Sequence, residues 1–252
     1  MIPKNPCWKL VMAQSVERES IEYPFLHSNF ISGLVSFVCA RNALNMNANI
    51  PVLFRTYLSR ETHSGCRIWE AARATSAAPA FFKHIEIGRG QPFIDGGLGR
   101  NNPSRVVLDE ANTLFRARPI GCLVSIGIGQ AEIISIPKPG FLQQVVPTDV
   151  IEAFKAISTD CEGTHEDMQC LFANLSNTYF RLNVEQGMQG IELSEWEKLA
   201  NVEAHTMQYM KRKEVDEKLA LVVNAIKLSS TPSQLMTIEQ LSMKNSFLCN
   251  LN

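Results

Sequence analysis

One stretch constrains this chain more than any other: Phe93-Ile94-Asp95-Gly96-Gly97-Leu98-Gly99-Arg100-Asn101-Asn102-Pro103. Its apolar, β-favouring start reads as a short strand that ends on an acid. The glycines after Asp95 let the backbone turn with positive φ and keep side chains out of the space beside the carboxylate. Asn101 or Asn102 can cap a following helix, and Pro103 suits its first turn, where the missing N–H would have had no helical partner. A strand that delivers a carboxylate to a turn and then a helix is an α/β arrangement. Two readings of Asp95 stand side by side. In one, the carboxylate bonds its own backbone two residues on and shapes an Asp-Gly turn. In the other it is a general base, held ~2.6–3.2 Å from a nucleophile.

The flanking sequence supplies the rest of such a layer. Phe37-Val38-Cys39 and Val52-Leu53-Phe54 read as buried strands, separated by an asparagine-rich loop over 42–49. Residues 67–78 are rich in alanine and predict a helix stopped by Pro79. Ile85 and Ile87 suit a short strand, with a turn over 88–90. Val107, Ala111 and Leu114 fall on one face of a predicted helix after Pro103. Residues 122–126 read as a buried strand, and Tyr179-Phe180-Arg181-Leu182 as another. Val150, Ile151, Phe154 and Ile157 mark a further amphipathic helix. Ser194 with Glu197 forms a capping box that predicts a helix over 196–213, and a last helix covers about 215–226.

Bulk properties exclude several classes. The 252 residues carry a net charge of −1, which offers nothing to nucleic acid or an anionic surface. The Lys211-Arg212-Lys213 cluster is followed at once by Glu214 and reads as a solvated helix face. Seven cysteines, with no Cys-x-x-Cys pair, argue against a disulfide framework or thiolate zinc site and for a reducing compartment. The N-terminal residues do not have a signal peptide's pattern. The longest apolar stretch, over 30–40, is far short of the ~20 residues a membrane span needs. The expectation is a cytoplasmic protein, free or peripheral at a membrane.

Specific strings then carry a resemblance. Residues 67–82, containing Ala74-Thr75-Ser76-Ala77-Ala78-Pro79-Ala80-Phe81-Phe82, resemble the Ala-Ser/Thr-Ser-Ala-Ala-Pro-x-Phe-Phe segment of patatin-like phospholipases. Asp95-Gly96-Gly97 follows in the order and spacing of that family's Asp-Gly-Gly/Ala motif, with Asn101-Asn102-Pro103 after it. Leu123-Val124-Ser125-Ile126-Gly127 resembles the family's next strand. Tyr179-Phe180-Arg181 and Ala204-His205-Thr206 look like the region that trails the domain in multidomain members. The resemblance implies a Ser–Asp dyad that hydrolyses acyl esters of lipids. The serine attacks the ester carbonyl, the aspartate takes its proton, a glycine-rich loop holds the oxyanion, and water releases the fatty acid. It assigns Asp95 as the proton acceptor, within the motif Asp95, Gly96 and Gly97. It implies no cofactor and no metal, and a lipid or phospholipid as substrate once the remainder of the domain is supplied.

The same resemblance exposes a gap. Such enzymes mount the serine in Gly-x-Ser-x-Gly, where glycines permit a strained elbow. No serine in the 252 residues has a glycine two positions before it, and no glycine-rich oxyanion loop precedes Asp95. Ser76 reads as helix-end packing, Ser125 as strand core, and Cys66 and Cys122 as small buried residues without an elbow. The five histidines, 27, 63, 84, 165 and 205, lack metal-binding spacing, and Glu166 and Asp167 read as a polar helix face. Phe81, Phe82 and Phe93 fit either an acyl-chain pocket or core packing.

The expected architecture is α/β: an incomplete patatin-like layered domain, sheet flanked by helices, with a helical C-terminal region. Its expected parts are an irregular segment over 1–35, the C-terminal part of the domain over 36–130, a mainly helical extension over 131–228, and a loosely held tail over 229–252. The expected function is that of a truncated lipid acyl hydrolase, inactive alone. The alternative is a non-catalytic lipid-binding or protein-interaction module on a degenerate version of the fold.

Overall fold

Short apolar runs build the first sheet. The computed structural model describes residues 35–46, 50–59, 66–79, 81–129, 161–188, 191, 195–228 and 237–241. The predicted irregular segment before residue 35, the helix around Val150–Ile157 and the capping residue Ser194 lie outside them. The described residues divide between two compact units, one within 35–101 and one within 102–129 and 161–241.

In the first unit β1 (Phe37–Asn42), β2 (Val52–Arg55), β3 (Ile85–Ile87) and β4 (Gln91–Asp95) form an antiparallel sheet of order β2-β1-β4-β3. Cys39 stands opposite Leu53, Ala40 opposite Asp95, and Ile85 opposite Phe93. The β3–β4 hairpin turns where the sequence placed it, and Gly88 and Gly90 take positive φ there. Helix α1 (Ile68–Thr75) packs on β1, β3 and β4. Its Ala71 and Ala74 meet Ala40, Phe54, Ile87 and Phe93 in one core cluster. Small residues on the helix face are what let its backbone lie close to the sheet. Phe37, Cys39 and Leu53, on the other side of the pleat, are buried too.

α1 ends at Thr75 rather than at Ala78. The Ser76 hydroxyl donates to the Ala72 carbonyl at 2.8 Å, and the Ala77 carbonyl is diverted to the Asp95 N–H at 3.0 Å. The segment before Pro79 therefore bonds to the sheet instead of continuing the helix. One distorted turn, α2 (Gly97–Arg100), follows β4.

The second unit contains α3 (Ser104–Phe115), β5 (Leu123–Ile126), α4 (Glu162–Phe172), β6 (Tyr179–Leu182), a 3₁₀ turn (Trp196–Lys198), α5 (Leu199–Met210) and α6 (Lys213–Leu228). β5 and β6 pair in parallel, Leu123 opposite Tyr179 and Ile126 opposite Leu182. Met168, Leu171 and Phe172, at i, i+3 and i+4 of α4, form the core with Leu108, Ile238 and Leu241. Glu166 and Asp167 lie on the exposed face, as read from sequence.

Two expectations shift here. α3 turns Leu108, Ala111 and Phe115 to the core and leaves Leu114 exposed. Three successive apolar residues, Val106, Val107 and Leu108, made the face ambiguous by about one 100° step. Residues 237–241, read as part of a loose tail, instead bury Ile238 and Leu241 completely or nearly so. The signal was present in sequence: the Thr237 N–H donates to the Gln240 side chain at 2.9 Å and the Gln240 N–H to the Thr237 hydroxyl at 3.3 Å, a capping box. Sheets flanked by helices make the fold α/β, as expected.

Phe93 is fully buried, its ring edge-on to Phe54 at 5.2 Å between centroids. Truncation to alanine removes that contact and leaves a cavity. Phe93→Ala should lower the unfolding free energy by about 3–5 kcal/mol in urea denaturation. The same change at solvent-exposed Phe81 should stay within about 0.5 kcal/mol.

Candidate functional site

β4 ends on Asp95, half-buried and paired across the ladder with Ala40. Its N–H donates to the Ala77 carbonyl, and its carboxylate Oδ1 accepts the Gly97 N–H at 2.6 Å. The carboxylate thus closes an Asx turn, as the first of its two sequence readings expects.

The glycines serve a different purpose from the one expected. Gly96 has φ −67° and ψ −12°, and Gly97 is also helical, so neither uses positive φ. Gly99 does, at φ +89°. Gly96 is required by space: a Cβ there would fall on the carbonyl oxygen of Cys39 and within 2.8 Å of the Cys39 Cβ. That Cys39 carbonyl also accepts the Thr75 hydroxyl at 2.6 Å. On the other side of the turn, Arg41 donates to the Leu98 carbonyl at 2.9 Å and to the Met46 carbonyl at 2.8 Å. The Ala-Thr-Ser-Ala-Ala-Pro string is therefore the frame of the acid turn: Thr75 fixes the strand beside Gly96, and Ala77 fixes the backbone of Asp95.

Other sequence candidates are accounted for locally. Ser76 completes the end of α1. Phe93 is core, Phe82 lies under the Arg73 guanidinium at 5.3 Å, and Phe81 is exposed. Cys66 is buried in the α1 core, and its thiol pKa is pushed up to about 12, chiefly by desolvation and then by Glu70. Among the described residues no group of His, Cys, Asp and Glu could hold a metal ion, and no helix is long and apolar enough to cross a membrane.

In the second unit, Asn102 is almost wholly buried. Its Oδ1 accepts the Ser104 N–H at 3.2 Å and hydroxyl at 2.6 Å, at the start of α3, and the Ser125 hydroxyl at 3.3 Å. Its Nδ2 donates to the Cys161 carbonyl at 3.1 Å. Pro103 stands one residue ahead of the helix, where its missing N–H leaves the first turn intact. Ser125 also accepts from Arg181 Nη1 at 2.9 Å, and Arg181 Nη2 reaches Glu162 at 3.3 Å. Composition and spacing give no signal for this network, because its members lie on four separated segments. His165 Nδ1 lies 3.0 Å from the Tyr179 hydroxyl. Burial lowers its pKa most, Glu162 opposes that, and Arg181 and Lys218 add to it. It is a satisfied histidine.

Residues 25–108 match the model of the patatin-like phospholipases, a span that holds α1, β4 and the Asp95 turn. The chain belongs to the patatin-like phospholipase family. It is similar to the mouse calcium-independent phospholipase A2-gamma, 32% identical over 174 residues, which cover 68% of this chain and 21% of the relative. It is also similar to phospholipase A I of Arabidopsis thaliana, 31% identical over 130 residues, 51% of this chain and 10% of that one. A cGAMP-activated phospholipase of Vibrio cholerae is 41% identical over 70 residues, 27% of this chain and 20% of that protein. The patatin-like chain thus spans about a fifth of the mouse relative's length.

Two outcomes follow from this packing. Gly96→Ala should cost about 1–3 kcal/mol, because the methyl group must displace strand backbone. It should also speed hydrogen exchange of the Gly97 amide, which Asp95 holds. Cys66, with a pKa about 12, is thiolate in only about one molecule in ten thousand at pH 8. Timed alkylation with iodoacetamide at that pH should modify exposed Cys170 and leave Cys66 unmodified in the folded protein.

Proposed function

We propose that this chain carries the general-base half of a lipid acyl hydrolase and does not hydrolyse esters by itself. Asp95 is the proton acceptor in this reading. The nucleophilic serine and the oxyanion donors belong to sequence that these 252 residues do not contain, since none of their serines lies in Gly-x-Ser-x-Gly. The observation that carries the reading is the position of Asp95. It ends an inner strand of the sheet, and Thr75 and Ala77 from the family's alanine-rich string hold its turn. A base fixed by backbone contacts needs no rearrangement to receive a hydroxyl brought within hydrogen-bond reach. Calcium independence is stated in the mouse relative's name, and it agrees with a mechanism in which a carboxylate and not a metal activates the hydroxyl.

A second reading draws on the bond from Asp95 Oδ1 to the Gly97 N–H, which gives the carboxylate a purely structural task. The chain is then a non-catalytic lipid-binding or protein-interaction module. The two separate by experiment. A fluorophosphonate probe should label no serine of the purified chain. It should label one when the chain is expressed in frame with a segment bearing Gly-x-Ser-x-Gly, and Asp95→Asn should abolish that labelling. Labelling of the chain alone would overturn the first part of the proposal, and labelling that survives Asp95→Asn would overturn the second. Vesicle binding that Asp95→Ala leaves unchanged, with no labelling in either form, would select the module.

A further inference from the structure

The second unit holds a cavity of about 450 Å³, walled by Glu162 and His165 of α4, Tyr179 and Arg181 of β6, Tyr209 of α5 and Lys218 of α6. Nothing in the acyl-hydrolase reading uses it. Its charges are unevenly consumed. The Arg181 side chain is only 7% exposed and bonds Glu162, so that pair is internally neutral. Glu185, also on the wall, lies 3.5 Å from Arg212. Lys218 is different. Its ammonium donates to the Arg181 carbonyl at 3.3 Å and pairs with no carboxylate among the described residues. It therefore brings an ammonium with no direct carboxylate partner among the described residues, and two further N–H donors. The Tyr209 hydroxyl accepts the Asn183 N–H at 3.3 Å, which leaves its own proton to donate. Arg181 Nε is buried without an acceptor, and the other two Arg181 nitrogens are already engaged by Ser125 and Glu162.

Ammonium, guanidinium, phenol and carboxylate groups make a wall that suits a polar ligand and not an acyl chain. Donors converging from separate elements match a tetrahedral oxyanion better than a planar carboxylate, whose two oxygens engage fewer of them. The volume falls in the range of small-molecule sites, ~300–1,000 Å³, and exceeds what a lone phosphate fills. The carboxylates of Glu162 and Glu185 on the same wall are suited to accept from hydroxyls. We propose that this cavity binds a phosphate ester of a small polyol, with the phosphate on Lys218 and Tyr209 and the hydroxyls toward Glu162 and Glu185. The cavity is lined only by residues of the second unit, and its ligand is not hydrolysed in this proposal.

Titration of the full chain with glycerol 3-phosphate, followed by calorimetry and amide chemical shifts, tests it. Saturable binding is expected, with shifts at Arg181, Tyr209 and Lys218. Inorganic phosphate should bind about tenfold more weakly, and glycerol should not bind. Lys218→Ala should weaken binding at least about tenfold, and Lys218→Arg should restore most of it. Lys213→Ala, an exposed charge on the same helix, should change nothing. Phosphatidylcholine vesicles carrying phosphatidylglycerol separate the ligand's source. Displacement of glycerol 3-phosphate by them assigns the site to lipid headgroups, and failure to displace it assigns the site to free phosphate esters. No saturable binding, or a Lys218→Ala protein that folds and binds as well as the parent, overturns the proposal.

Discussion

The turn after β4 lies hard against the backbone of β1. Gly96 lies where any Cβ would strike the Cys39 carbonyl, and the Thr75 hydroxyl already occupies one lone pair of that oxygen. Three segments far apart in sequence therefore meet at one peptide group. The small residues around it follow from this. Ala40, Ala74 and Ala77 are entirely buried, and larger side chains there would part the helix from the sheet. The position of Asp95 is a by-product of the same packing, because the backbone on both sides of it is spoken for.

The second unit depends on a polar centre instead. Asn102 and Arg181 join the start of α3, strands β5 and β6 and the start of α4 through directed bonds. Buried polar groups of this kind hold their shape only if nearly every donor and acceptor is matched. Apolar packing of Met168, Leu171 and Phe172 against Ile238 and Leu241 closes the layer beneath. The result is a unit whose apolar core tolerates modest repacking and whose polar centre does not.

Much of the first unit was legible because its signals are local. Short runs rich in β-branched and aromatic residues gave β1, β2 and β4, and closely spaced glycines gave the β3–β4 turn. The early end of α1 was not legible, since it arises from the capture of Ala77 by a strand eighteen positions later. The role of Gly96 was misread for a related reason. Sequence suggests conformational freedom at a glycine, whereas here the requirement is steric and comes from Cys39. In the second unit, the buried face of α3 was obscured by three adjacent apolar residues, and the short helical return at 237–241 by the polar sequence around it. The Asn102–Arg181 network and the cavity beside it were invisible, because proximity between residues 23 to 59 positions apart has no periodic signature.

The frame of the acid turn also has a direction in time. Cys39, Arg41, Thr75 and Ala77, the residues that hold Asp95 and its glycines, all precede Asp95 in the chain. A protein emerging from the ribosome N-terminus first has made every one of these partners before Gly97 appears. The bond from Arg41 to Leu98 closes a span of 57 residues, and closing a loop of that length costs little more than closing a shorter one. The turn can therefore be set against a template already synthesised, without waiting for any residue of the second unit.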